Sequence, residues 1–255
     1  MSEEIGSHYN EISETYEKNP FYDRNGYLIG WATSKICSHL ELCESDNFLD
    51  LGAGDGVACL KILSILKLMN VTCVEPSTKM CEIMLSNGVK NVVEADAIGF
   101  LTNCCSKYDK LLMKEVIHHI AVFEYDKLFS ALKNAMHISS KLLIITRPRS
   151  SRHYPFFEKA NEVWESEGLD VDLLQASLVR NGFKVRIHEE KCAMSIAKVE
   201  WIRMIRSRFW STFRREKMTE EDIENGIKEI EARYEGTESV EFNEIQLFVV
   251  VEFQR

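Results

Sequence analysis

The sequence predicts an α/β fold: a doubly wound, seven-stranded sheet, mostly parallel, with helices on both faces and an antiparallel strand at its C-terminal end. Three observations carry this prediction. Strand and helix patterns alternate from about residue 47 to residue 148. The strand runs are apolar along nearly their whole length, as strands covered on both faces are. A glycine-rich turn stands where the first strand gives way to a helix.

Taken in order, an acidic helical start at about residues 3–18 precedes a second helical stretch at about 24–42. NFLDLGAG (47–54) is a short buried run ending in glycines, 57–68 is helical, and VTCVEP (71–76) is a strand followed by a helix opening at Ser77 or Thr78. VKNVVEAD (89–96), YDKLLMKEV (108–116) and KLLIITRP (141–148) continue as strands, separated by helical segments near 97–104 and 124–136. Past Pro148 the pattern changes to helices near 155–167 and 171–181, a strand at FKVRIHEEKCAM, a helical insertion over about 197–234, and a last strand at EIQLFVVVEFQR. Such a tail closes a parallel sheet with an antiparallel hairpin whose connecting arm is long.

Composition narrows the class. With 255 residues, 45% of them hydrophobic, and only 12 glycines and 4 prolines, the chain is expected to be a single globular domain spanning 1–255, with no low-complexity or repeat architecture. Thirty-one basic residues against forty acidic ones give a net charge of −9, which argues against a general binder of phosphate backbones. The N-terminus lacks a cationic stretch followed by an apolar core, and LKILSILKLM and LFVVV are too short or too interrupted to cross a bilayer, so a cytoplasmic protein without membrane attachment is expected. None of the eight cysteines forms a C-x2-C pair, so they are expected to be free thiols, with no metal site.

The motif that carries chemistry is LDLGAGDG (49–56). Gly52, Gly54 and Gly56 let the backbone turn sharply and admit a ligand where no Cβ intervenes. A dinucleotide fingerprint would need Gly or Ala at position 57, which is Val57, and no G-K-[ST] follows to make a Walker A loop. About twenty residues on, Glu75 ends the second strand, where a carboxylate accepts ribose hydroxyls. Asp96 ends the third, where a carboxylate can meet an adenine amino group. Together the three elements describe an adenosine pocket.

In order and spacing, LDLGAGDG, VEPS and EADA resemble the motifs of the class I S-adenosylmethionine-dependent methyltransferases, a Rossmann-like family, over about residues 45–148. YNEISETY and KEVIHHI resemble the Tyr-containing first helix and fourth-strand motif of its small-molecule branch. The resemblance implies S-adenosylmethionine as cofactor and S-adenosylhomocysteine as product. It implies that Gly52, Ala53 and Gly54 pass beside the methionine part, that Asp50 helps to anchor its ammonium, and that Glu75 holds the ribose. Pro76 would then pack near the adenine, Asp96 and the Ala97 amide would read its edge, and the Lys114 backbone would meet the methionine moiety. Tyr16 would close over the carboxylate, with residues 1–44 covering the cofactor site. The plainer alternatives are that Asp50 stiffens the turn, Asp96 caps a helix and Tyr16 packs.

The acceptor is written less clearly, because a sulfonium methyl donor needs alignment more than a fixed catalytic group. His118 and His119 stand just past the fourth strand, where one of them can serve as general base or His119 can be structural. KVEWIRMIRSRFWSTFRREK (198–217) is basic and the segment after it acidic, with Arg203 and Arg206 on one helical face and Trp201, Ile205, Phe209 and Trp210 interleaved. Arg147, Arg149 and Arg152 leave the fifth strand. If 197–236 folds over the sheet edge as a lid, Arg147, Trp201, Arg203 and Arg206 would bind an anionic or carboxylate-bearing small molecule. The lid resembles in position the substrate-capping arm of trans-aconitate and juvenile hormone acid methyltransferases. The opposing reading is a solvated helix whose basic half pairs with its acidic neighbour. A protein or RNA methyltransferase, or a non-catalytic cofactor-binding partner or sensor, is the alternative function. A monomer or homodimer is expected, with no nucleic acid bound.

Overall fold

The computed structural model describes Phe21, residues 26–68 and residues 70–254. The acidic start at 3–18, and with it Tyr16, lies outside the described residues. The described elements, in chain order, are α1 (Tyr27–Leu40), β1 (Asn47–Leu51), α2 (Val57–Ile65), β2 (Asn70–Glu75), α3 (Thr78–Ser86), β3 (Val92–Glu94), α4 (Ala97–Thr102) and β4 (Tyr108–Lys114). There follow α5 (Tyr125–Ala135), β5 (Met136–Thr146), α6 (Glu158–Glu167), α7 (Val171–Arg180), β6 (Phe183–Ala197), α8 (Lys198–Arg206), α9 (Glu220–Arg233) and β7 (Ser239–Phe253). The seven strands form one sheet in the order β3-β2-β1-β4-β5-β7-β6. The pairs from β3 to β5 are parallel, and β7 runs antiparallel between β5 and β6.

The alternation of side chains along each strand divides the core into two layers. Leu111 and Met113 of β4, Leu142 and Ile144 of β5 and Val249 and Val251 of β7 pack with Leu128, Phe129 and Leu132 of α5 on one face. Their neighbours Leu112, Leu143, Ile145, Phe248 and Val250 pack with Ile36 and Leu40 of α1 and Ile62 of α2 on the other. Continuous apolar runs are what this two-sided burial requires.

Some boundaries differ from the sequence reading for identifiable reasons. The third strand is three residues long, not 89–96, because Gly88 takes φ +95° and Val89 folds back to donate its amide to Met84 O while burying its side chain. The helix expected over 57–68 stops at Ile65, since Leu66 is extended. The last strand begins at Ser239 rather than at 244, and β6 runs on to Ala197.

That last difference positions the site. β5 pairs with β7 only as far as Thr146 opposite Leu247, whereas β6 and β7 stay paired out to Ala197 opposite Ser239. The hairpin therefore overhangs the carboxyl ends of the parallel strands, which is the side on which open α/β sheets bind ligands. The segment 198–238 is carried at its tip. It packs through an aromatic cluster of its own, in which Trp201, Phe209, Trp210 and Phe213 meet Tyr154, Phe156 and Phe157 from the chain after β5.

Candidate functional site

A cleft of about 450 Å³ opens at the carboxyl ends of β1, β2 and β4, a size suited to a cofactor and part of an acceptor. The glycine turn forms its floor. The amides of Gly52 and Ala53 both donate to Val74 O, at 2.7 and 3.0 Å, which ties the turn to β2. Gly52 is closed in by neighbours, since a Cβ there would stand 2.3 Å from Val116 Cγ2. Gly54 differs: its φ is +58°, and a Cβ would meet nothing within 4 Å, because that position faces the cleft.

Three carboxylates reach this floor from successive strand ends. Glu75 is buried, and its Oε2 and Oε1 accept the amides of Gly54 and Ser77, each at 3.0 Å. Burial raises the Glu75 pKa, against the opposing pull of those two amides. Asp50 is 2% exposed and its Oδ2 has no hydrogen-bond partner among the described residues, which leaves a buried acceptor on the cleft lining. Burial raises its pKa to about 7, with Lys114 pulling it down and Glu75 pushing it up. Asp96 caps α4 by accepting the Gly99 amide through Oδ1 at 2.9 Å, and it also lines the cleft. Capping and lining are compatible, since one carboxylate has room for several donors.

These groups fit S-adenosylmethionine. An orphaned carboxylate oxygen at Asp50 suits an ammonium, Glu75 is held rigidly with lone pairs left for hydroxyl donors, and the Gly54 opening leaves room for a ligand against the backbone. Ala53, Pro76, Ala97 and Lys114 line the same cleft. Among the described residues no group of three or more His, Cys, Asp or Glu side chains is arranged to hold a metal ion.

The other half of the cleft is built by β4, β5 and the overhanging segment. Glu115 follows β4 with φ +58°, a conformation that costs a non-glycine residue about 1 kcal/mol or more, and its amide still donates to Ile145 O at 2.9 Å. His118 and His119 both line the cleft, with ring centroids 4.0 Å apart. His118 is an exposed residue, and its side chain keeps 27% of its surface accessible. Partial desolvation of the ring, and then the positive charge of Arg147, push its pKa down, and the imidazole is neutral near pH 7.

Of the residues expected to meet the acceptor, Arg147 lines the cleft and Trp201, Arg203 and Arg206 do not. Trp201 is fully buried in the aromatic cluster and donates its Nε1 hydrogen to Pro155 O. Arg203 pairs with Glu200, one turn away on α8, and Arg206 pairs through two bonds of 2.9 Å with Glu224 on α9. The basic segment thus neutralises its acidic neighbour. The part of 197–236 that reaches the cleft is Trp210, Ser211, Thr212 and Arg214, facing Trp164 and Glu167 of α6. Sequence reading passed over Glu115, Glu124, Trp164 and Glu167. Only Glu115 carried a local signal, as the charged residue at the end of an apolar strand run.

No protein-family model matches the chain, and no curated protein matches it in sequence. Solved structures do match in fold. A SAM-dependent methyltransferase from Archaeoglobus fulgidus aligns over 96% of this chain and 100% of its own, with a TM-score of 0.60 at 19% identity. The plantazolicin methyltransferase BpumL, solved with S-adenosylhomocysteine, aligns over 97% and 91%, with a TM-score of 0.55 at 16% identity. Phosphoethanolamine N-methyltransferase 2 of Haemonchus contortus, also solved with S-adenosylhomocysteine, aligns over 98% of this chain and 58% of its own, with a TM-score of 0.59 at 18% identity. With the strand order 3-2-1-4-5-7-6 and the antiparallel β7, these likenesses establish that the chain has the Rossmann-like fold of the class I S-adenosylmethionine-dependent methyltransferases.

Proposed function

We propose that the protein transfers a methyl group from S-adenosylmethionine to a small-molecule acceptor held in the same cleft. The observation that carries this reading is the convergence of Asp50, Glu75 and Asp96 from three neighbouring strand ends on the open side of Gly54. When bound, the cofactor supplies an electrophilic methyl group on a sulfonium. The chain's own part is to bind and align: Glu75 takes the ribose hydroxyls, Asp50 the ammonium, and Asp96 with the Ala97 amide the edge of the adenine. His118 is a weak base with a lowered pKa, so alignment of the acceptor contributes more than proton removal by this side chain. The similar structures solved with S-adenosylhomocysteine support this choice of cofactor.

The acceptor enters from the side of Trp164, Trp210 and Arg214. An anionic acceptor draws little support from the arginines first named for it, because Arg147, Arg203 and Arg206 are each paired with carboxylates.

Thermal unfolding tests the cofactor assignment. S-adenosylhomocysteine at 100 times its Kd is expected to add about 2.7 kcal/mol and raise the midpoint by about 5 to 10 °C. A midpoint unmoved by millimolar S-adenosylhomocysteine in folded protein overturns the assignment.

A further inference from the structure

We propose that Glu115 receives the acceptor and that the acceptor presents a protonated amine to it. This rests on the methyltransferase reading and narrows its substrate class.

The argument starts from where Glu115 is anchored. The left-handed turn after β4 leads its side chain into the cleft, where Oε2 binds Arg147 Nη1 at 2.8 Å and lies 3.9 Å from His118 Nδ1. Arg147 is bound on its other edge as well. Its Nε donates to Glu244 Oε1 at 2.8 Å, and Glu244 is fully buried, accepting also from Tyr154 Oη at 2.7 Å and from Gln246 Nε2 at 3.1 Å. The guanidinium carbon sits 4.7 Å from the centre of the Trp210 ring. One cation is therefore shared between two carboxylates and stacked on an indole. Arg147 acts as a bracket for Glu115 and has no charge to spare for an anionic ligand.

The free end of the bracket points to the ligand. Glu115 Oε1 is buried and has no hydrogen-bond partner among the described residues, while the side chain as a whole is 16% exposed. A buried carboxylate oxygen without a donor is unfavourable unless a ligand supplies one. The remaining charges agree. Arg214 is engaged by both oxygens of Glu167, at 2.9 and 2.7 Å. Among the described residues that line the cleft, Asp50, Asp55, Glu75, Asp96, Glu115, Glu124 and Glu167 face Lys114, Arg147 and Arg214, seven acids against three bases. The Trp164 and Trp210 rings, 5.5 Å apart, add aromatic faces that attract a cation and accommodate an apolar body.

Calorimetry on the full chain saturated with S-adenosylhomocysteine tests this, with benzylamine, phenethylamine and tryptamine each set against the carboxylate of matching length and ring. At least one amine is expected to bind at least tenfold more tightly than its carboxylate partner. Glu115→Gln is expected to weaken amine binding at least tenfold and leave S-adenosylhomocysteine affinity unchanged, which shows that the variant is folded. Tighter carboxylate binding, no amine binding, or an amine affinity that Glu115→Gln leaves intact each overturns the proposal. Failure of the wild-type chain to bind S-adenosylhomocysteine overturns instead the reading on which it rests.

Discussion

Asp50 and Glu75 stand on adjacent strands, yet their surroundings differ. Glu75 is fixed by two amides, so its loss removes a preorganised acceptor. Glu75→Ala is expected to weaken S-adenosylhomocysteine binding by about 1 to 3 kcal/mol, read by calorimetry, with the unfolding midpoint of the ligand-free protein as the control for folding. Unchanged affinity would take Glu75 out of the site. Asp50 has no amide to hold it ionised, and its pKa of about 7 gives a pH dependence with two opposite signs. In the ligand-free protein the folded state keeps a proton that the unfolded chain loses near its ordinary value of 3.8, so this group's contribution to stability falls as pH rises from about 4 to about 7. A bound ammonium favours the ionised form, so binding below pH 7 must expel that proton. S-adenosylhomocysteine affinity is expected to fall about tenfold from pH 8 to pH 6 in the wild type, and Asp50→Asn should flatten the profile. A profile that is flat in the wild type would separate Asp50 from the ammonium. The place of these two residues at the cleft was legible in the sequence because motif spacing fixes a strand end. The orphaned oxygens of Asp50 and Glu115 were not, since they depend on what folds over them.

At the scale of elements, the long β6–β7 overhang decides what the insertion can reach. Charge segregation in 198–217 was plain in the sequence, and a helix with a basic face was a sound reading. Which face meets the cleft depends on where the helix docks. Trp201, Ile202, Met204 and Ile205 bury one side of α8, and this turns Arg203 and Arg206 outward, to Glu200 and Glu224. Exposed pairs of this kind are screened by water and contribute little. Replacing both arginines with alanine is therefore expected to leave S-adenosylhomocysteine affinity unchanged and to shift the midpoint of thermal unfolding by no more than about 2 °C, as surface substitutions usually do. A raised Michaelis constant for an acceptor in the double variant would instead put α8 in contact with substrate. The turn at Trp210–Arg214 reaches the cleft by tertiary docking, which no local periodicity announces.

At the scale of the whole molecule, alternation of apolar strands and helices determined the sheet, and the two-layer core follows from it. The parallel half was readable because each strand run is bounded by its own turn chemistry, from the glycines after β1 to Ser77 capping α3 and Asp96 capping α4. The C-terminal half was readable as a hairpin with a long arm, but the length of its overhang was not, because β6 alternates exposed and buried positions without a marked end. The central claim is that the cleft at the carboxyl edge of this sheet binds S-adenosylmethionine. Among the described residues no helix is long and apolar enough to cross a membrane. Calorimetric titration of the purified chain with S-adenosylmethionine, S-adenosylhomocysteine and NAD in parallel should give saturable one-to-one binding of the first two and no heat with NAD. Binding of NAD, or no binding of either sulfur ligand to well-folded protein, would contradict the account.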